Sequence, residues 1–175
     1  MQIYLQYYQS PVGELILGDF DGQLCLCDWK YRKMRDQLDA RIQTGLKGEF
    51  EVQETDLLNA VKLQLDEYFE GERTDFNVPL LFVGSDFQKS VWEKLITIPY
   101  GKTVSYLELS RLLGDEKAIR AVATANGANA ISILVPCHRI IGSDGSLTGY
   151  AGGLKAKQKL LQLEGMNFGE QLELF

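Results

Sequence analysis

The chain changes character once, around Asn77-Val78-Pro79, and this constrains its fold more than any other feature. Ahead of that point lie strand signals followed by one helix; beyond it, apolar residues recur at helical spacing. Gln2 to Gln9 is rich in aromatic residues. Glu14 to Gly18 then leads through Asp19-Phe20-Asp21-Gly22 into Gln23 to Trp29. An Asp-Gly step between two apolar segments predicts a tight hairpin. Thr55 is placed to cap a helix running to about Glu70, with Leu58, Val61, Leu65 and Phe69 on one face and Gly71 at its end. The expected fold is α+β, with an N-terminal α/β domain over 1–79, a mostly helical domain over 80–165 and a tail over 166–175.

Three helices are expected in the second half. Ser85-Asp86-Phe87-Gln88 fits a capping box, followed by a buried stripe of Val91, Trp92, Leu95 and Ile96, and Pro99 and Gly101 stop the helix. Ser105-Tyr106-Leu107-Glu108 is a second capping box, opening a short helix with Leu109, Leu112 and Leu113 inside. Gly114 breaks it, and Asp115 can cap a third helix to about Asn126. Two short helices joined by a glycine-containing turn form a helix-turn-helix pattern. The third helix, Ala118-Ile119-Arg120-Ala121-Val122-Ala123-Thr124-Ala125, is nearly all small residues around one arginine. Small side chains permit close helix packing; equally, they let an exposed helix approach DNA closely, with Arg120 as the one side chain long enough to enter a base stack.

The net charge of −6 argues weakly against nucleic acid until it is divided along the chain. Residues 1–85 carry 8 basic and 15 acidic side chains, residues 86–165 carry 10 and 7, and the last ten carry two acids. The helical half is therefore mildly positive, which is compatible with phosphate contacts. No apolar run is long enough to cross a bilayer, and the first residues, Met1-Gln2-Ile3-Tyr4-Leu5-Gln6, lack the basic start and apolar stretch of a secretory signal. A cytoplasmic protein with no membrane partner is expected. The cysteines, Cys25, Cys27 and Cys137, are odd in number and read as reduced thiols. Cys25 and Cys27 are two apart in an apolar strand, where they are expected to share a face as small buried hydrophobes. With His138 as the only histidine, no metal site is expected.

The segment most informative about chemistry is Ile133-Leu134-Val135-Pro136-Cys137-His138-Arg139-Ile140-Ile141. An apolar strand is expected to run into Pro136, which cannot continue a ladder, so Cys137 and His138 emerge at its end. A thiol is a nucleophile only as thiolate, and a neighbouring imidazole is the usual base that makes it one. Adjacent residues of an extended segment point to opposite faces, so a bridging water or a bent backbone is expected between the two side chains. A buried structural Cys-His pair is the competing reading of these two residues alone.

Pro136-Cys137-His138-Arg139-Ile140 resembles the active-site signature of the O6-alkylguanine-DNA alkyltransferases. The resemblance runs almost continuously from Phe87 through Gly165. It takes in Ser105-Tyr106, Lys117-Ala118-Ile119-Arg120-Ala121-Val122, Ala125-Asn126-Gly127-Ala128-Asn129, Thr148-Gly149-Tyr150-Ala151-Gly152-Gly153-Leu154 and Leu163-Glu164-Gly165. It implies a ribonuclease H-like α/β domain followed by a winged-helix-like DNA-binding and catalytic domain. Cys137 is implied as the alkyl acceptor, His138 as the base acting through water and Glu164 as the acid that orients the imidazole. Asn129 is implied to hold the active-site turn, and Tyr106 to assist flipping and donate to guanine N3. The helix-turn-helix would enter the minor groove of double-stranded DNA, with Arg120 filling the space left by a flipped base and Ala118, Ala121 and Thr124 beside it. Tyr150, Ala151, Ile140 and Asn126 would surround the base.

The implied reaction is irreversible, single-turnover transfer from O6-alkylguanine, and from O4-alkylthymine, by a monomer. No cofactor is implied, and the chain has no G-x-G-x-x-G phosphate loop. The sequence departs from the family pattern at Ala130, where proline is usual after the asparagine, and at Ala123, where glycine is common. Modest destabilisation of the loop is expected from Ala130, without loss of activity. Zinc-binding cysteines seen near the N-terminus of some members are absent. Two other readings are a lesion-binding relative that does not react and a Cys-His hydrolase. The cysteine at 137 argues against the first, and the DNA-facing helix goes unexplained under the second.

Overall fold

A tight reversal organises the N-terminal sheet. In the computed structural model, which describes residues 1–167, Asp21 (φ 51°) and Gly22 (φ 81°) both lie in the left-handed region, as a type I′ hairpin turn requires. The Asp19 carboxylate accepts from the Gly22 N–H at 2.9 Å. This turn joins β2 (Gly13–Phe20) to β3 (Gln23–Trp29), and β1 (Gln2–Ser10) pairs antiparallel with the other edge of β2. Helix α1 (Arg35–Leu46) then carries the chain to β4 (Glu49–Val52), which lies parallel to β1 and completes the order β3-β2-β1-β4. Neither α1 nor β4 is marked in the sequence. Helix α1 lacks a side-chain cap, is bounded by left-handed Met34 and Lys47, and buries only Leu38 and Ile42. Of the tail expected over 166–175, residues 168–175 lie outside the described residues.

The two β3 cysteines do not share a face. Pairing with β2 slips between Gly18 opposite Leu26 and Asp19 opposite Leu24, leaving Cys25 as an extra residue. Such a bulge interrupts the alternation. Cys25 and Leu26 both pack toward Ile3, Leu5, Leu38 and Ile42 under α1, while Leu24, Cys27 and Trp29 face the main core. Both thiols are buried and unbridged. The outer edge of β3 is covered at two points. Leu24 exchanges backbone hydrogen bonds with Pro79 and Leu81 (2.8 and 2.9 Å), and Cys27 does so with Ala130 and Ser132 (2.9 and 2.7 Å). One strand thus anchors both the mid-chain connection and the approach to Cys137.

Helix α2 (Asp56–Phe69) starts where Thr55 accepts from the Leu58 N–H. It buries Leu58, Val61 and Leu65, with Tyr68 completing the face and Phe69 only half-buried. The Ser85–Gln88 capping box opens α3 (Asp86–Ile96), which buries Val91, Trp92 and Leu95 but leaves Ile96, its last residue, 46% exposed. A short β5 (Val104–Ser105) leads into α4 (Tyr106–Leu112), capped by Ser105. Leu109 and Leu113, four residues apart, form its inward line, and Leu112, expected inside, is 53% exposed. The Asp115 side chain caps a 3-10 turn, Glu116–Ala118, ahead of α5 (Ile119–Gly127). Parallel to β5 lies β6 (Ile140–Ile141), and α6 (Leu154–Leu163) is the last helix among the described residues. Leu15, Leu17 and Trp29 of the sheet share one apolar core with residues of α2, α3, α5 and α6. Among the described residues no helix is long and apolar enough to cross a membrane.

Asp28, near the end of β3, is fully buried and holds Arg32 (3.1 Å) and Arg35 (2.9 Å). Arg32 then donates to the carbonyls of Gly127 (2.8 Å) and Asn129 (3.4 Å), and Arg41 to that of Ala128 (2.8 Å). Cationic donors are thereby set at the negative C-terminal end of α5. Removing one partner of a buried charge cluster strands the others, at about 3–5 kcal/mol. Asp28→Ala is therefore expected to cost stability on that scale in urea unfolding, whereas a loss under ~1 kcal/mol would mean that water replaces the carboxylate.

Candidate active site

The approach to Cys137 is buried coil instead of the expected strand. Residues from Ala130 through Ile140 are all buried, and between Ala130 and Pro136 the strand-like contact is a single bridge from Ile131 to Cys27. Ile133 takes a left-handed φ of 73°, and successive tight bonds from Leu134 to Ser132, Val135 to Ile131 and Cys137 to Val135 fold the segment on itself. An unbroken apolar run reports full burial, which coil satisfies as well as strand when side chains meet the backbone groups. Asn129 does so here. Its Nδ2 donates to the Val135 carbonyl (2.9 Å) and its Oδ1 accepts from the Ile131 N–H (2.9 Å).

Cys137, His138 and Arg139 form a 3-10 turn immediately after Pro136. The bend turns adjacent side chains apart without the strict opposition of a strand, and no direct hydrogen bond joins Cys137 to His138. The imidazole is fully buried, with Nε2 at 2.7 Å from Glu164 Oε2. Arg139 donates through Nε to Glu164 Oε1 (2.8 Å) and through Nη2 to Oε2 (3.1 Å), and the Gly101 N–H reaches Oε1 (3.2 Å). Burial alone would raise the Glu164 carboxyl, but the hydrogen bond from His138 and the hydrogen bonds and positive charge of Arg139 reverse this and hold it well below the usual carboxylate range. Facing an ionised acceptor, Nε2 carries the ring proton, and Nδ1 is left as the basic nitrogen. Nδ1 has no hydrogen-bond partner among the described residues.

Burial lowers the affinity of His138 for a second proton, outweighing the pull of Glu164. Burial likewise pushes the Cys137 thiol up, with the Asn129 amide and the Lys157 charge drawing it partly back. At rest the site holds a thiol and a neutral base.

Cys137 is 4% exposed and lines a cavity of about 230 Å³ together with Tyr106, Ala123, Asn126, Gly127, Asn129, Gly149, Tyr150 and Ala151. Ile140, expected near the base, lies outside that lining, and its carbonyl accepts from Lys157 Nζ. Tyr150 stands edge-on to Trp29 (5.8 Å between centroids) and to His138 (6.5 Å). Gly152 is needed beside it, because a Cβ there would lie 2.5 Å from the Trp29 indole. On the outer side of α5, Arg120, Ala121 and Thr124 are exposed and Ala118 is half-buried. The exposed small-residue face allowed by the sequence is thus present, while Val122 and Ala125 turn inward.

Several residues near the thiol escaped sequence reasoning. Lys157 is fully buried, and Nζ also donates to the Thr148 (2.8 Å) and Gly149 (3.5 Å) carbonyls, pinning the loop that carries Tyr150. Burial lowers its pKa to about 8. A lysine within the apolar stripe of Ala156, Leu160 and Leu161 is the legible sign of such a role. Arg139 stands out similarly inside an apolar run. Nothing local marks the site contacts of Tyr68, Arg32 or Arg41, which reach partners 87 to 97 residues away. Among the described residues no cluster of three or more His, Cys, Asp or Glu side chains is arranged to hold a metal ion.

Comparison with known proteins bears on this geometry. A family model described as 6-O-methylguanine DNA methyltransferase, DNA binding domain, matches residues 86–166, and one described as 6-O-methylguanine DNA methyltransferase, ribonuclease-like domain, matches residues 3–82. The chain is 42% identical over 164 residues to the methylated-DNA–protein-cysteine methyltransferase of Methanosarcina acetivorans, covering 93% of this chain and 99% of that protein. The protein of the same name from Mycobacterium bovis is 53% identical over 112 residues, 64% of this chain and 68% of that protein. The crystal structure of Mycobacterium tuberculosis OGT in complex with DNA superimposes with a TM-score of 0.79 at 39% identity, covering 92% of each chain.

The shifts at His138 and Glu164 both make acid destabilising. The folded pKa of His138 lies below its unfolded value of about 6.5, so the stability it contributes is fully present above that pH and is lost on acidification. Glu164 is depressed relative to about 4.3, so its contribution persists above that value and is lost as pH falls further. The thermal midpoint should therefore fall in two stages on acidification. His138→Gln, which keeps a donor toward Glu164, should remove the first stage. A midpoint independent of pH from 7.5 down to about 5.5 would contradict the neutral buried imidazole.

Proposed function

The chain belongs to the 6-O-methylguanine DNA methyltransferase family, and on that premise we propose that it repairs alkylated DNA by moving the alkyl group from guanine O6 to the sulfur of Cys137. One observation carries this reading. A buried thiol, backed by a neutral imidazole and an ionised carboxylate, lines a cavity whose wall includes Tyr106 and residues of α5.

In this mechanism the guanine is flipped from the duplex, because its O6 substituent is out of reach while stacked. Ala118, Ala121 and Thr124 bring α5 against the minor groove, and Arg120 occupies the space the base leaves. O4-alkylthymine is handled in the same way. Cys137 passes its proton through a water to His138 Nδ1, and Glu164 stabilises the resulting imidazolium. The sulfur electron pair attacks the alkyl carbon, the carbon–oxygen bond breaks, and its electrons move into the purine. The Tyr106 hydroxyl supports that charge at N3. A carbon–sulfur bond replaces a carbon–oxygen bond with no change of oxidation state and no cofactor. The thioether is not hydrolysed, so each monomer reacts once, in the cytoplasm.

Incubation with an oligonucleotide carrying O6-methylguanine should leave one methyl group per chain on the Cys137 peptide by mass spectrometry, with no further turnover. Cys137→Ala should bind the lesion without accepting the group. An unmodified wild-type thiol would identify a lesion-binding protein instead, and many cycles per molecule would rule out a thioether end product. Arg120→Ala should slow reaction with duplex DNA by about tenfold or more, since flipping costs a few kcal/mol. Its reaction with free O6-benzylguanine should be nearly unchanged. Equal losses on both substrates would take Arg120 away from the base stack.

A further inference from the structure

One hydrogen bond at Glu164 comes from the other half of the chain. Tyr68, in the last turn of α2, is fully buried, and its hydroxyl donates to Glu164 Oε2 at 2.6 Å. His138 Nε2 approaches this same oxygen at 2.7 Å, and Arg139 Nη2 at 3.1 Å. The Tyr68 ring is held edge-on by Phe69 and Tyr100 and tilted against Phe76, which aims the hydroxyl. We propose that Tyr68 is a positioning residue for alkyl transfer: by sharing Oε2 with His138, its hydroxyl sets how tightly the imidazole holds a proton. The inference rests on the assignment of Cys137 as acceptor.

The physical basis is competition for one oxygen. Each donor that a carboxylate accepts withdraws negative charge from the others. Burial and the Glu164 charge raise the Tyr68 phenol far above its ordinary range, so it donates at every working pH. Its presence reduces what Glu164 offers to an imidazolium. A base that must be neutral before it receives the Cys137 proton benefits, because stronger attraction would fill Nδ1 beforehand. The other groups around the pair are Arg139 and Lys157 as cations, and Cys137, Tyr150 and Tyr100, whose hydroxyl donates to the Leu163 carbonyl (3.2 Å). None of them changes when only the Tyr68 hydroxyl is removed.

The chain has a single histidine, so ring-nitrogen NMR reads His138 without ambiguity. Tyr68→Phe keeps the packing and removes the donor. The His138 titration, and the acid limb of the Cys137 methylation rate, should both move up by about half to one pH unit. The high-pH rate should stay within about threefold, so that the loss is confined to acid, at roughly three- to tenfold below the limb. Ring-fluorinated tyrosine at position 68, a stronger donor of nearly the same shape, should move both midpoints down, and it serves if Tyr68→Phe does not fold. An unmoved titration and limb overturn the proposal, whether the rate is unchanged or falls equally at every pH as a mere tie between α2 and α6 would cause. If the wild-type protein accepts no methyl group, the acceptor assignment fails, while the NMR titration still decides whether Tyr68 acts on His138.

Discussion

A carboxylate removed from water survives only where its charge and lone pairs are answered, and Glu164 is answered from four directions. Arg139 neutralises it, His138 and Tyr68 share Oε2, and the Gly101 backbone reaches Oε1. These donors come from the turn after Pro136, from α2 and from the loop following α3. The acid itself directly follows α6. A buried ion pair of this kind adds little net stability against an apolar alternative. What it does here is define one arrangement: any movement of the 3-10 turn, of α2 or of the α6 end leaves a buried charge unmatched.

The same logic of satisfied backbone fixes the thiol from the opposite side. The edge of β3 takes up Ala130 and Ser132, Asn129 spans the coil to Val135, and the guanidinium groups of Arg32 and Arg41 hold the carbonyls where α5 ends. The N-terminal sheet is therefore part of what positions the site. Lys157 completes the enclosure by joining β6 to the loop before Tyr150. Burial favours the neutral forms of both the thiol and the imidazole.

Much of this was legible along the chain because the determinants are local. The Asp21-Gly22 turn, the Thr55 cap, the Ser85–Gln88 box and the inward stripe of α3 each depend on residues within a few positions of one another. The site was legible differently: the blocks around Cys137, Asn129, Tyr150 and Glu164 resemble a known family in order and spacing. Helix α1 and β4 were not legible, since α1 has no cap and presents only two apolar contacts. The misjudged faces, at Ile96, Leu112 and Cys25, are where a helix ends or a strand takes an extra residue, so simple periodicity fails there.

By itself the amino-acid sequence determined the strand and helix segments whose signals are short-range, and singled out the candidate side chains for chemistry. Only the tertiary structure decided that Ile131 to Val135 is coil, that Arg139 and Tyr68 meet Glu164, and that Lys157 points inward to carbonyls. The reason is that a buried polar group chooses its partner by proximity in space, and partners such as Tyr68 and Glu164, 96 positions apart, or Arg139 and Glu164, 25 apart, are paired by no local pattern.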